Sequence, residues 1–202
     1  ENYMFQYHSQ IEQIKNMVSE GVVGEVRNIR CDFGFPMRAK NDFRYNKQLG
    51  GGALLDAGGY TAKLATLFLG KTIQVDAATL NSLPGFEVDM YGNVQFSNSN
   101  GEVCQASFGM DNGYRCSLEI WGSKGRIYTN RIFTAPESYS PVVFVETAEQ
   151  KEEIVLDADM HFKKSIEEFI DQINNTKKRE KMYDEILLQA RLVDDIRTIG
   201  TR

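Results

Sequence analysis

The stretch VDMYGNVQFSNSNGEVCQASFGMDNGYRCSLEI, residues 88–120, decides the fold. Val88, Met90, Gly92, Val94 and Phe96 are apolar or small, while Glu87, Asp89, Asn93 and Gln95 point the other way. After Asn98-Ser-Asn-Gly101 the even positions Cys104, Ala106, Phe108 and Met110 are again apolar. After Asp111-Asn-Gly113 the same holds for Tyr114, Cys116, Leu118 and Ile120. Period-two alternation broken by Asn/Gly turns predicts hairpins, and hence an antiparallel meander with one apolar face.

Working outward, Gly122-Ser-Lys-Gly125 turns the chain into a strand over 126–130, with two more strands near 142–146 and 152–156. Upstream, Ser9-Gln-Ile-Glu12 reads as a capping box, followed by Ile11, Ile14 and Val18 at helical spacing and a stop at Gly21. Residues 23–35 read as a strand and 36–49 as a polar loop. A helix over 54–69 ends at Gly70. Downstream, Phe162, Ile166, Phe169 and Ile173 form one helical stripe, and Ile186, Leu187, Ala190, Val193 and Ile196 another. The charged segment 174–181 between them reads as a loop. The expectation is a single α+β domain over residues 1–202, with a mainly antiparallel, open-faced sheet whose apolar face the helices cover. No βαβ alternation announces a dinucleotide-binding unit.

Composition bounds the function. Across 202 residues, a net charge of −5 gives no electrostatic reason to expect nucleic acid or an anionic membrane. No apolar run approaches the ~20 residues of a membrane span. The three cysteines, Cys31, Cys104 and Cys116, lack zinc or redox spacing, so no metal is expected. Reduced thiols in the cytoplasm are the expected state. With Glu1 first and no leader pattern, the chain is expected to begin inside a longer protein or after cleavage.

The chemistry concentrates in GGGALLDAGGYTAK, residues 50–63. It is not a Walker loop, since Lys63 lies too far along, and not GxGxxG after a strand. Two readings stay open. The glycines serve close packing, or they leave open a helix face on which Asp56 and Tyr60, four apart, bind hydroxyls and pass a proton. Arg44 in DFRYN is a candidate for a substrate hydroxyl, carboxylate or phosphate, against a plain ion pair. His8 reads either as lining a cleft or as a surface or capping residue. Lys63 reads either as a substrate contact or as a solvated lysine. His161 reads as a neighbour of a helix cap, and Trp121 as a packing or interface residue. The outer sheet face, with Glu87, Asp89, Tyr91, Gln95, Arg115 and Glu119, is either solvated or meets a second subunit.

LGGGALLDAGGYTAKLATLFLG, residues 49–70, resembles the signature of the Gfo/Idh/MocA (glucose-fructose oxidoreductase, inositol dehydrogenase) family in its tyrosine variant. Residues 1–26, 43–56, 118–130 and 186–197 are similar to its flanking segments, so the resemblance covers essentially the whole chain. It implies the glyceraldehyde-3-phosphate-dehydrogenase-like C-terminal fold, Asp56 as substrate-binding carboxylate and Tyr60 as acid/base in place of a histidine. It implies a sugar, keto-sugar or polyol substrate and a homodimer or homotetramer through the open sheet face, while Arg44, His8 and Lys63 stay the candidate substrate contacts weighed above. It also implies an amino-terminal domain that holds NAD or NADP and supplies a lysine. That domain has no counterpart here, so no cofactor is expected on this chain alone. The alternative is a non-catalytic, sheet-mediated dimerisation or ligand-binding module.

Overall fold

The computed structural model describes residues 1–201. A short 3-10 turn, Met4–Tyr7, leads into α1 (Ser9–Ser19) and β1 (Val26–Gly34). Then come α2 (Gly59–Leu69), β2 (Gln74–Asn81), β3 (Tyr91–Ser97), β4 (Val103–Gly109), β5 (Arg115–Gly122), β6 (Gly125–Thr129), β7 (Val142–Thr147), β8 (Lys151–Val155), α3 (His161–Asn174) and α4 (Thr176–Gly200). The strands form one eight-stranded sheet in the order β2-β3-β4-β1-β5-β6-β7-β8. All neighbours are antiparallel except β1 and β4, which run parallel. The architecture is α+β with an open, mainly antiparallel sheet.

The inward residues are those that the alternation selects: Val94, Phe96, Cys104, Ala106, Phe108, Cys116, Leu118 and Ile120 are buried. The meander itself is interrupted. β4 and β5 do not pair, because β1 lies between them. The turn expected at 111–113 instead wraps the end of β1: Asn112 N donates to Phe35 O at 3.1 Å and Phe35 N to Gly109 O at 3.1 Å. Tyr114, expected inside, is exposed, and its hydroxyl pairs with Thr134 Oγ1 at 2.8 Å. The edge strand β2 has no counterpart in the sequence expectation, since its burial hardly alternates.

The helices differ more. Ser9 is not the cap of α1. His8 Nδ1 accepts from Gln10 N at 3.2 Å, and Ser9 N donates to Asp159 Oδ2 at 2.7 Å. Segment 174–181 is a two-helix junction rather than a loop. Asn175 caps α4 by accepting from Lys178 N at 3.1 Å. On α4 the buried face is Gln189, Leu192 and Ile196, while Leu187 and Ala190 of the expected stripe are exposed. α2 and α4 cover the inner sheet face, with Gln189 Nε2 donating to Gly59 O at 2.8 Å. α3 does not share this work. It packs on the Met4–Tyr7 turn and α4, and its apolar stripe faces outward. Among the described residues no helix is long and apolar enough to cross a membrane.

Candidate active site

The site is built at the entry to α2. Gly50 and Gly52 adopt φ of 76° and 124°, a region that penalises a side chain. At Gly51 a Cβ would lie 2.3 Å from Arg44 O. The three glycines therefore let the chain fold back on residues 44–46. Gly52 N donates to Arg44 O at 2.9 Å and Gly51 N to Asn46 O at 2.9 Å. This clamps the backbone of Arg44 against the helix entry.

Asp89 caps that entry. Leu54 N donates to Asp89 Oδ2 at 2.6 Å, and Ala53 N to Asp89 O at 2.8 Å. Asp89 is thus removed from the outer sheet face to which the alternation assigned it. Burial raises its pKa, and the amide of Leu54 opposes that. The chain enters α2 through a π-helical turn, Leu54–Gly58, which carries Asp56. Arg44 Nε donates to Asp56 Oδ2 at 2.8 Å, and Arg44 Nη1 to Asp42 Oδ1 at 3.1 Å. These three side chains are about one-fifth to one-quarter exposed. One guanidinium therefore spans two carboxylates, a fixed arrangement that Lys could not reproduce.

Tyr60 follows on α2. Its ring sits in an aromatic cluster, 4.9 Å from Tyr3, 5.2 Å from Phe33 and 6.0 Å from Phe5 between centroids. Its hydroxyl reaches Met4 Sδ at 3.7 Å, a weak acceptor. Burial raises the phenol's pKa and Asp56 adds to this, while Arg44 opposes it. The phenol is therefore fully protonated at neutral pH and competent only as a proton donor. A phenolate formed by donation would gain from the Arg44 charge.

The glycines beside it serve packing. A Cβ on Gly58 would meet Leu54 Cδ1 and Phe108 Cζ at 3.0 Å, and one on Gly59 would lie 2.1 Å from the Tyr3 hydroxyl. They do not hold a ligand face open. Of the two readings of this pair, close packing is the one that the geometry carries.

Two candidates lie elsewhere. Lys63 is 2% exposed, with its ammonium 3.7 Å from Glu1 Oε2 and 3.8 Å from Glu185 Oε2. It ties α2 to α4 and the chain start, and the solvated alternative is wrong. His8 is neither cleft-lining nor on the surface. It is 1% exposed, caps α1 and stacks edge-on against buried His161 at 5.5 Å. The structure thus joins Arg44, Asp56 and Tyr60, and separates His8 and Lys63 from them by their own partners. Sequence reasoning missed Asp42 and Asp89. Asp42 stands two residues before Arg44 and was open to inference, whereas Asp89 reaches the site only through the fold.

Trp121 lies on the outer sheet face and is 54% exposed. There Arg126 bridges Glu119 at 2.9 Å and Glu146 at 2.8 Å, and Tyr128 stacks on Phe144 at 4.7 Å.

Comparison with known proteins shows what the chain is similar to. The GFO/IDH/MocA C-terminal domain matches residues 11–128. The dTDP-3,4-didehydro-2,6-dideoxy-alpha-D-glucose 3-reductase of Actinomadura kijaniata is 38% identical over 198 residues, 98% of this chain and 60% of the relative. The enzyme of the same name from Saccharopolyspora spinosa is 34% identical over 84% of this chain and 51% of its own length. The crystal structure of a 3-ketoreductase from Actinomadura kijaniata, in complex with NADP and TDP-benzene, superposes with a TM-score of 0.91 at 39% identity. That match covers 98% of this chain and 61% of the other. The chain thus spans about 60% of the length of the Actinomadura relative.

Proposed function

The chain belongs to the GFO/IDH/MocA family, and from that premise we propose that it is the substrate-binding, proton-donating half of an NADP-dependent reductase of a nucleotide-linked keto-sugar. The observation that carries this is the Arg44–Asp56 pair one helical turn before a protonated, weakly engaged Tyr60 hydroxyl. The relatives named for dTDP-sugar 3-reduction supply the substrate class. The relative crystallised with NADP supplies the cofactor of the whole protein.

This chain's own residues do not fit the dinucleotide. The glycine-rich helix entry resembles a phosphate seat, but the carboxylate of Asp89 already takes the amide of Leu54. An anion there would meet a like charge. The dinucleotide therefore belongs to the remaining length that the relatives possess, and no hydride step is assigned to these residues. What they do is hold and protonate. Asp56, oriented by Arg44, accepts from a sugar hydroxyl with the oxygen not engaged by the guanidinium. Tyr60 donates its proton to the carbonyl oxygen as the carbonyl carbon is reduced, and the Arg44 charge favours the resulting phenolate. The proposal extends to assembly: the outer sheet faces of two copies pair about a two-fold axis, with Trp121 at the contact. Sedimentation of a monomer at tens of micromolar would refute the pairing.

The direct test is to supply the full-length protein with NADPH and a dTDP-linked keto-sugar. Consumption of NADPH that depends on the sugar supports the reading. Its absence at millimolar sugar, with the protein folded, overturns it.

A further inference from the structure

Arg44 and Arg126 are each held by two carboxylates, which offset their charge. Arg131 is held differently. It is half-buried in the segment 130–141 between β6 and β7. Its guanidinium carbon lies 5.1 Å from the centroid of the Tyr114 ring and 5.7 Å from that of Tyr139. Its Nε donates to Thr134 O at 3.0 Å. The Thr134 hydroxyl in turn pairs with the Tyr114 hydroxyl at 2.8 Å, so one residue ties the arginine to the tyrosine beside it. The backbone beneath is anchored too: buried Gln10 donates to Arg131 O at 3.3 Å, and Ile132 N donates to Cys116 O at 2.9 Å. Aromatic rings attract a cation without neutralising it. Among the described residues no carboxylate comes within ion-pair distance of Arg131, and its two Nη groups have no hydrogen-bond partner. The result is a fixed guanidinium with its charge unspent.

We infer that Arg131, clamped by Tyr114 and Tyr139, is the seat of the diphosphate that joins the keto-sugar to its nucleoside. The inference rests on the function proposed above. A diphosphate brings negative charge directly beside the sugar. The Arg44 end of the site is a poor seat for it, because Asp42 and Asp56 already take that guanidinium and would repel a further anion. Arg131 has no such competitor. With its Nε committed to Thr134 O, the fork of Nη1 and Nη2 is left for two phosphate oxygens, a bidentate pairing that a preorganised guanidinium suits. The position also agrees with the chemistry. Two residues beyond Arg131, the buried Phe133 ring stands 6.1 Å from that of Tyr60 and 5.0 Å from that of Phe33. The clamp thus grows from the wall of the cluster that holds the proposed proton donor.

The test uses the full-length protein with three probes: dTDP, thymidine, which lacks the diphosphate, and NADPH, whose own diphosphate is the competing source. Phenylglyoxal modification of Arg131, read by peptide mass spectrometry, should slow several-fold with saturating dTDP and stay unchanged with thymidine. In calorimetric titration Arg131→Gln should weaken dTDP about tenfold or more, since a charge-assisted pair is lost. Arg131→Lys should recover only part of this, because an ammonium keeps the charge but not the fork. The protection experiment is made on wild-type protein, so it decides even where a variant fails to fold. Protection by NADPH in place of dTDP would overturn the assignment in favour of the dinucleotide. Protection by neither, or an unchanged dTDP affinity in folded Arg131→Gln, would reduce Arg131 to a brace of its own loop. Sugar-dependent consumption of NADPH reads the proposed function separately. That reaction with Arg131 unprotected by dTDP strikes the clamp alone, whereas protection without the reaction strikes the reduction alone.

Discussion

Arg44 is fixed twice against the helix that carries Asp56. Its carbonyl accepts from Gly52 N at 2.9 Å, and its guanidinium donates to Asp56 Oδ2 at 2.8 Å. The glycine run thus acts through Arg44, by admitting its backbone to the helix entry, rather than by cradling a ligand.

The proposed proton donation is tested by Tyr60→Phe in the full-length protein. Among the described residues the hydroxyl has only Met4 Sδ as partner, so the Tm should scarcely change. General-acid catalysis is worth about 10²–10⁴-fold, so kcat should fall by about 10² or more with little change in KM. A kcat within threefold of wild type would remove Tyr60 from the proton step.

The two charges beside the phenol have opposite effects on it. Asp56 helps to raise its pKa and Arg44 opposes that. Asp56→Asn should lower the tyrosinate midpoint of Tyr60, and Arg44→Ala should raise it. Both would be read by ultraviolet difference titration against Tyr60→Phe. Asp56→Asn should also raise KM if, as proposed, the carboxylate binds the sugar in the ground state. Midpoints that stay fixed in both variants would show that the pair is not coupled to the phenol.

Gly59→Ala separates two effects of opposite sign. By helix propensity alone alanine should stabilise by about 1 kcal/mol. Its Cβ, however, would lie 2.1 Å from the Tyr3 hydroxyl in a buried seam. Overpacking of this kind costs about 1–3 kcal/mol. Chemical denaturation should show a net loss, part of which Tyr3→Phe recovers. A stabilised Gly59→Ala would show that the seam has slack.

Acid should destabilise the chain through His8 and His161. Burial lowers His8 to about 4, with His161 and Lys164 adding to the effect and Asp159 opposing it. Burial also lowers His161, against Asp159. An unfolded histidine titrates near ~6.5. Between that pH and about 4 the unfolded chain binds more protons, so stability falls as pH falls through this window. His8 alone contributes on the order of 3 kcal/mol at its lower end. Asp159 lies well below the ordinary carboxylate range. Burial opposes this, but Lys164 and the amide of Ser9 outweigh it, so a further loss begins below about 4. His8→Asn keeps a cap for α1 and removes the titration. Its stability should fall less steeply from pH 6.5 to 4, and an unchanged slope would clear His8.

The sequence by itself determined which residues of β3, β4 and β5 point inward, because alternation on a pleated strand is local and has one solution when one face is apolar. It also placed Asp56 and Tyr60 one turn apart and marked Arg44, since helical spacing and the glycine run are legible along the chain. Only the tertiary structure decided that β1 enters between β4 and β5, because pairing between distant strands leaves no mark in either one. Only it brought Asp89, 35 residues away, to cap the turn that carries Asp56, and set Gly59 against Tyr3. The stripe on α3 shows the limit most plainly. Periodicity reports that a helix has an apolar face, and the simplest expectation is that this face meets the sheet. Which surface meets that face depends on what lies beside it in space. Here the polar row at His161, Ser165 and Gln172 won the interior, because the Met4–Tyr7 turn and buried His8 met it there.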